Sequence, residues 1–409
     1  MSGPELPGNG DPSEGIPFLG DLGKLLGSQG PLNLGIARQV AVGLAGDGAA
    51  EPNVDPQSRM ALEELARVAE LRVSDATGMA MSAGVAGVEA VNRTNFAHRT
   101  LQHYEGLLTD MAVGLSGATE AEGEAPGEAG EDTAEDKGLG DLGGDPMAGL
   151  FDGIQKMMGP VLMGLNAGFM VGHVARRAMG QYELPLPRPE GPVLIVVPNV
   201  DQFADEWSLP VDEVRLWVCV SELAQHAVVR RPHVARRILD LVREGAAGFE
   251  IDMGALEERM AGIDPSDPES FQTAFADPEI LLGALNSPRR AHVLPQLEAI
   301  TSAVVGYVDW VLDTVGPGLI GSYEPLAEAL RRRRVEASAA DRMIERLLGL
   351  ELDQAHYERG AAFVDGVVDR AGPQGLARLW ASERELPTPA EIDAPGLWLA
   401  RIDLPPDAS

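Results

Sequence analysis

The sequence predicts a mainly α-helical chain of the α+β class, with one small strand element ahead of a long apolar helix. Three observations lead there. Apolar residues recur at three- and four-residue spacing over most of the chain. Aromatic residues make up 5% of the 409 residues while Ala, Leu, Val and Gly dominate, a composition suited to closely packed helices. Only Pro192–Val200 (PVLIVVPNV) sets β-favouring residues in a run between prolines.

In chain order, the Gly/Pro-rich, acidic stretch 1–30 reads as a disordered leader. It lacks a basic start and an apolar run, so no signal peptide is expected and the chain is placed in the cytoplasm. A helical region follows over 31–116. Within it 32–42 and 58–73 have helical periodicity, the second after the start signal Asp55-Pro56, and a third helix spans about 92–115 with Phe96 and Tyr104. Residues 117–146 hold ten carboxylates against Lys137 and read as a self-repelling acidic linker worth nine units of the net charge. The domain of interest is expected over 147–402, with 403–409 as a tail.

That domain opens with the most apolar stretch, Met147–Met179. Pro160, Asn166 and His173 interrupt it, and Gly164, Gly168 and Gly172 recur every fourth residue, so it reads as a buried core helix that a neighbour approaches closely rather than a membrane span. His173 is expected to be a hydrogen-bonded core histidine. After the strand, Pro210 opens a helix over 211–230 with Asp212 and Glu213 in its first turn. Further helices are expected over 234–244, 288–315, 323–334, 340–348, 354–370 and 373–381.

The net charge of −31 excludes nucleic acid as a partner, because phosphate binding depends on Lys and Arg, and disfavours an anionic membrane. The lone Cys219 rules out an internal disulfide and reads as a packing thiol. The Arg331–Arg334 run is expected to cap carbonyls or pair with acidic surface groups. Neither a phosphate-binding loop nor a G-x-S-x-G nucleophile motif occurs.

Several motifs, in order, resemble a bacterial family of zincin-like, zinc-dependent metalloproteases or hydrolases. They are Asn92-Arg93-Thr94; Gly168–Ala175 with Gln181-Tyr182; Asn199 and Phe203 after the strand; Asp212-Glu213-Val214-Arg215-Leu216; Tyr357-Glu358-Arg359-Gly360; and the segment Trp380–Ile392. The resemblance covers about residues 30–402 apart from the acidic insert. It implies that the helix after Leu216 carries an H-E-x-x-H motif. Two His at i and i+4 would then share a tetrahedral zinc ion and the Glu would act as general base on its water. Here the segment reads Ser221-Glu222-Leu223-Ala224-Gln225, so only the base position, Glu222, is kept. The third ligand implied by the resemblance falls on Val305 of Val305-Gly306-Tyr307-Val308-Asp309. A hydroxyl, an amide and an aliphatic side chain are poor zinc donors.

His226 offers a rescue, being i+4 from Glu222, but its face is turned about 100° from that of residues 221 and 225, and a third ligand would have to come from His233, His173 or a carboxylate. The plainer expectation leaves His226 at the surface or behind the site and pairs Glu222 with an arginine. The sequence thus points to a metalloprotease-like protein without its metal site, with no cofactor expected, that serves as a binding, scaffold or regulatory homologue for a protein or peptide partner. The alternative is an active zinc hydrolase using a displaced site around Glu222 and His226.

Overall fold

The computed structural model describes residues 30–48, 50–79, 87–120, 146–188, 190–247, 288–336 and 338–404. The expected leader, most of the acidic linker and most of the tail lie outside them. Fourteen α-helices are used below: α1 (Leu34–Ala45), α2 (Pro56–Thr77), α3 (Arg93–Glu120), α4 (Pro146–Arg177), α5 (Val197–Glu206), α6 (Val211–Val229), α7 (Pro232–Ala247), α8 (Pro288–Val315), α9 (Tyr323–Val335), α10 (Ala339–Leu348), α11 (Gln354–Ala371), α12 (Pro373–Leu379), α13 (Pro389–Ile392) and α14 (Pro395–Asp403). The mainly helical reading is correct, and most expected helices fall within a few residues of these bounds.

Two short strands, β1 (Val88–Val91) and β2 (Val193–Val196), pair in parallel with Val88 opposite Val193 and Val91 opposite Val196. The expected strand 192–200 is too long by half. Pro198 lacks an N–H for a ladder but suits the first turn of a helix, and from Val197 the chain turns into α5. β1 escaped sequence reading because VEAV is too short to show a period.

Asp55 caps α2 by accepting from the amides of Gln57 and Ser58 at 2.9 and 3.1 Å, as its place before Pro56 suggests. The Gly164/Gly168/Gly172 stripe lies against α1. A Cβ at those positions would come within 2.5, 2.7 and 2.9 Å of Asn33, of Ala37 and Val40, and of Leu44, so the two helices meet nearly backbone to backbone. Among the described residues of α4, Leu162 and Phe169 on another face are half exposed, so the expected buried core helix is buried on one side there.

α6 runs through the middle of the main core. Fifteen of its residues, including Val214, Val218, Leu223 and Val228, are buried, and it packs on α2, α8 and α5. α8 crosses α11 at a glycine pair. A Cβ on Gly306 would lie 2.2 Å from the Gly360 carbonyl carbon, and one on Gly360 would lie 2.0 Å from the Ser302 oxygen. Any side chain at either place would push the helices apart, and with them Val305 and Tyr357, which flank this crossing. Among the described residues no helix is long and apolar enough to cross a membrane.

Candidate functional site

Most of the motif residues hold the scaffold. Asn92 caps α3 through the Asn95 amide at 2.8 Å, and Arg93 Nε donates to Asn199 Oδ1 at 2.5 Å. Asn199 Nδ2 in turn donates to the carbonyls of Ala175 and Ala178, closing the end of α4. Arg215 is buried on α6 and forks onto Asp201 at 2.9 and 2.8 Å. Glu213 accepts from the Ser322 amide at 2.8 Å, fixing the start of α9. Thr388 and Glu391 close a capping box on α13. These contacts fix how α4, α5, α6 and α9 meet, and the cavity opens between the end of α4, α6, α8 and α9.

The cavity holds about 100 Å³, room for several waters. Ser221, Glu222 and Gln225 of α6 line it together with Val305 of α8, so all four positions singled out in the sequence reach one space. His226 is not among its lining residues. It is 1% exposed, and its Nδ1 lies 2.6 Å from Tyr182 Oη. Burial pushes the imidazole down to about 4, with Arg230 adding to the effect, so it is neutral at physiological pH. Of the two expected places for His226, at the surface or behind the site, it takes the second, with Tyr182 hydrogen-bonded to it.

Glu222 departs from expectation. Among the described residues no arginine pairs with it; its Oε2 accepts the Tyr182 amide proton at 2.9 Å. Burial pushes its carboxyl up to about 8, partly opposed by that amide and reinforced by Glu183. At neutral pH most of it is the uncharged acid. The loop 180–183 presses directly on it: a Cβ on Gly180 would lie 2.3 Å from Glu222 Cδ. Gly180 therefore belongs to the site through its missing side chain. Gln225 is also buried, and its Nε2 has no hydrogen-bond partner.

The opposite wall went unread in the sequence. Glu183 accepts from Arg177 Nε and Arg333 Nη2, both at 2.9 Å. Burial alone would raise its pKa, but Arg333 and then Arg177 outweigh this and hold it below the usual carboxylate range. Arg177 also pairs with Asp341 at 2.5 Å, and Asp341 Oδ1 lies 3.0 Å from His173 Nε2. His173 is thus hydrogen-bonded as expected, but its side chain is one third exposed and so not a core residue. Arg334 forks onto Asp309 at 2.9 and 2.7 Å and covers the Tyr357 ring at 4.1 Å. Glu345 also lines the cavity, and burial pushes it up to about 7. In the Arg331–Arg334 run, Arg331 and Arg332 pair with Glu328 at the surface as expected, while Arg333 and Arg334 line the cavity. The helical period carries the hint, since consecutive residues on a helix point about 100° apart.

Zinc in such a fold would need imidazole or carboxylate donors from α6 and α8. The side chains there are a hydroxyl, an amide and an isopropyl group. Of the carboxyls that line the cavity, Glu222 is turned to a backbone amide, and Asp309 of α8 and Glu183 are paired with arginines. This donor set does not fit zinc. Among the described residues, no group of three or more His, Cys, Asp or Glu is arranged to hold a metal ion. Cys219 is buried and pushed up to about 12 by desolvation, as suits a packing thiol.

No curated protein matches this chain. Among solved structures, it is similar to a protein of Chloroflexus aurantiacus described as a "putative hydrolase with a novel fold". The TM-score is 0.62 at 21% identity, covering 91% of this chain and 99% of that one, a likeness of fold. The sequence model of the zincin-like metallopeptidase family matches residues 32–399, a span that holds both strands, α6 and every wall of the cavity, and the chain belongs to that family.

Proposed function

We propose that this chain is a zincin-like metallopeptidase homologue that has lost its metal site and works by binding a protein or peptide partner through the retained cleft. The carrying observation is that Ser221, Gln225 and Val305 line one cavity with Glu222 while none of the three offers an imidazole or a carboxylate. A general base also needs a free lone pair and a pKa suited to taking a proton from water at the metal. Here Glu222 is buried, protonated at neutral pH and held by the Tyr182 amide. The displaced site around Glu222 and His226 is not favoured, because Tyr182 occupies both: its amide binds Glu222 and its hydroxyl binds His226.

The test is metal content, measured by elemental analysis of protein prepared without added metal, beside a variant combining Ser221→His, Gln225→His and Val305→Glu. The native chain is expected to carry well under one zinc per molecule and the triple variant close to one. One tightly held zinc in the native chain would overturn the proposal. Failure of the well-folded variant to bind zinc would show that these three positions are not the former ligand sites.

A further inference from the structure

Among the described residues two arginines are more than nine-tenths buried, Arg215 and Arg188. Arg215 is matched by the bidentate carboxylate of Asp201. Arg188, in the loop between α4 and β2, is matched by nothing. Its Nε is fully buried without a hydrogen-bond partner, and no described carboxylate lies within ion-pair distance of its guanidinium.

The surroundings deepen the mismatch. The Glu89 carboxylate, the nearby opposite charge, is taken by Arg99, which forks onto it at 2.9 and 2.6 Å. Arg99 itself adds a like charge that works against Arg188, on top of the larger cost of desolvation. His103, next along α3, is held below its ordinary pKa by burial and by Arg188, so it adds a neutral ring rather than a third cation. The backbone cannot swing away to relieve the charge. Tyr104 Oη donates to the Leu186 carbonyl at 3.0 Å, and the Arg188 carbonyl accepts from Tyr182 Oη and Gln181 Nε2, each at 3.3 Å. Buried guanidinium groups are ordinarily paired, because an unpaired charge in a low dielectric loses its hydration and gains nothing in return.

We infer that Arg188 anchors a binding site for an oxyanion, a carboxylate or phosphate group that docks on its guanidinium beside Arg99 and His103. A planar fork of N–H donors matches two oxygens of either group, and a neutral imidazole can add a further hydrogen bond. The site does not depend on whether zinc binds at α6. It touches the cavity all the same: the Arg188 carbonyl is bonded to Tyr182, whose amide holds Glu222.

Calorimetric titration of the full chain tests this, after chelator treatment and desalting, at low ionic strength, with inorganic phosphate and with acetate. Saturable one-site binding of at least one anion is expected. Phosphate binding the tighter would point to phosphate esters as the natural ligand, and acetate the tighter to a carboxylic acid or a peptide terminus. Arg188→Gln should abolish the binding, and Arg188→Lys should weaken it at least about tenfold, since a point charge replaces the fork. Arg243→Gln, at an exposed arginine paired with Asp110, should leave it unchanged. If neither anion saturates, or if Arg188→Gln binds as the native chain does, the cation is served by water alone and the inference falls. Should Arg188→Gln not fold, Arg188→Lys carries the same test.

Discussion

Glu183 and Glu222 stand on facing walls of one cavity, both deep in the protein, and their charges are handled in opposite ways. Glu183 sits between Arg177 and Arg333, which hold it ionised against the cost of burial. Glu222 has a backbone amide and no cation, and burial keeps it protonated up to about pH 8. The first wall is a closed ionic network that balances itself, running from His173 through Asp341, Arg177, Glu183 and Arg333. The second keeps its carboxyl among the neutral side chains of Ser221, Gln225 and Val305. Burial alone therefore does not decide whether a carboxyl is charged; the partner within hydrogen-bond reach does.

The sharpest way to break this contrast is to remove the unpaired acid. A carboxyl whose folded pKa is raised above its unfolded value contributes stability below the unfolded pKa, and that contribution is lost as pH rises toward the folded value. For Glu222 the window runs from about 4.5 to about 8. Glu222→Gln should then match the native chain near pH 4 and exceed it at pH 8.5, by at most about 5 kcal/mol on linkage arithmetic. Urea unfolding at the two pH values checks it, and equal differences at both would refute a buried neutral acid. Glu183→Gln should act the other way, costing about 3–5 kcal/mol near neutral pH, since Arg333 loses its carboxylate and Arg177 keeps only Asp341. Because the Glu183 pKa is lowered, that cost should shrink as the pH falls through the acid range, where the native carboxyl also becomes protonated.

Smaller effects sharpen the geometry. Gly180→Ala forces a methyl toward Glu222 Cδ and should cost about 1–3 kcal/mol. In a Glu222→Ala background that cost should largely vanish, and a double-mutant cycle measures the coupling. An undiminished cost would mean that the strain lies elsewhere in the loop. Ser221→Ala should change stability by no more than about 0.5 kcal/mol, since a half-buried hydroxyl facing the cavity supports little. A larger loss in thermal unfolding would give Ser221 a structural role that the cavity does not suggest.

Much of this site was legible along the chain through the family resemblance, whose motif helix and later element fall on residues 221–225 and on Val305; helical spacing adds that 221, 222 and 225 share one face. The Asn92, Asn199, Arg215 and Thr388 motifs were readable too, although their residues fasten helices to one another and are not reagents. What could not be read was pairing between distant segments. Local sequence sets Glu183 apart from Glu222 only through Arg177, six positions before it; its other partner, Arg333, lies 150 positions away, and among the described residues no arginine pairs with Glu222. Whether His226 lies at the surface or behind the site was left open because its partner Tyr182 stands 44 positions earlier. Arg188 was passed over because the absence of a partner has no sequence signature.

The sequence alone determined the helical architecture, the glycine stripe that seats α4 on α1, and the residue types at positions 221, 225 and 305. Those properties follow from residue identity and from spacing of three or four positions, which act over a single turn of helix. Only the tertiary structure decided that Ser221, Glu222, Gln225 and Val305 share one cavity, that Glu222 is a neutral acid and Glu183 a charged one, and that Arg188 is left without a counter-charge. Each of these depends on the dielectric and on the hydrogen-bond partners that a side chain meets once remote segments pack together. Those energies arise between elements and are written in no single one of them.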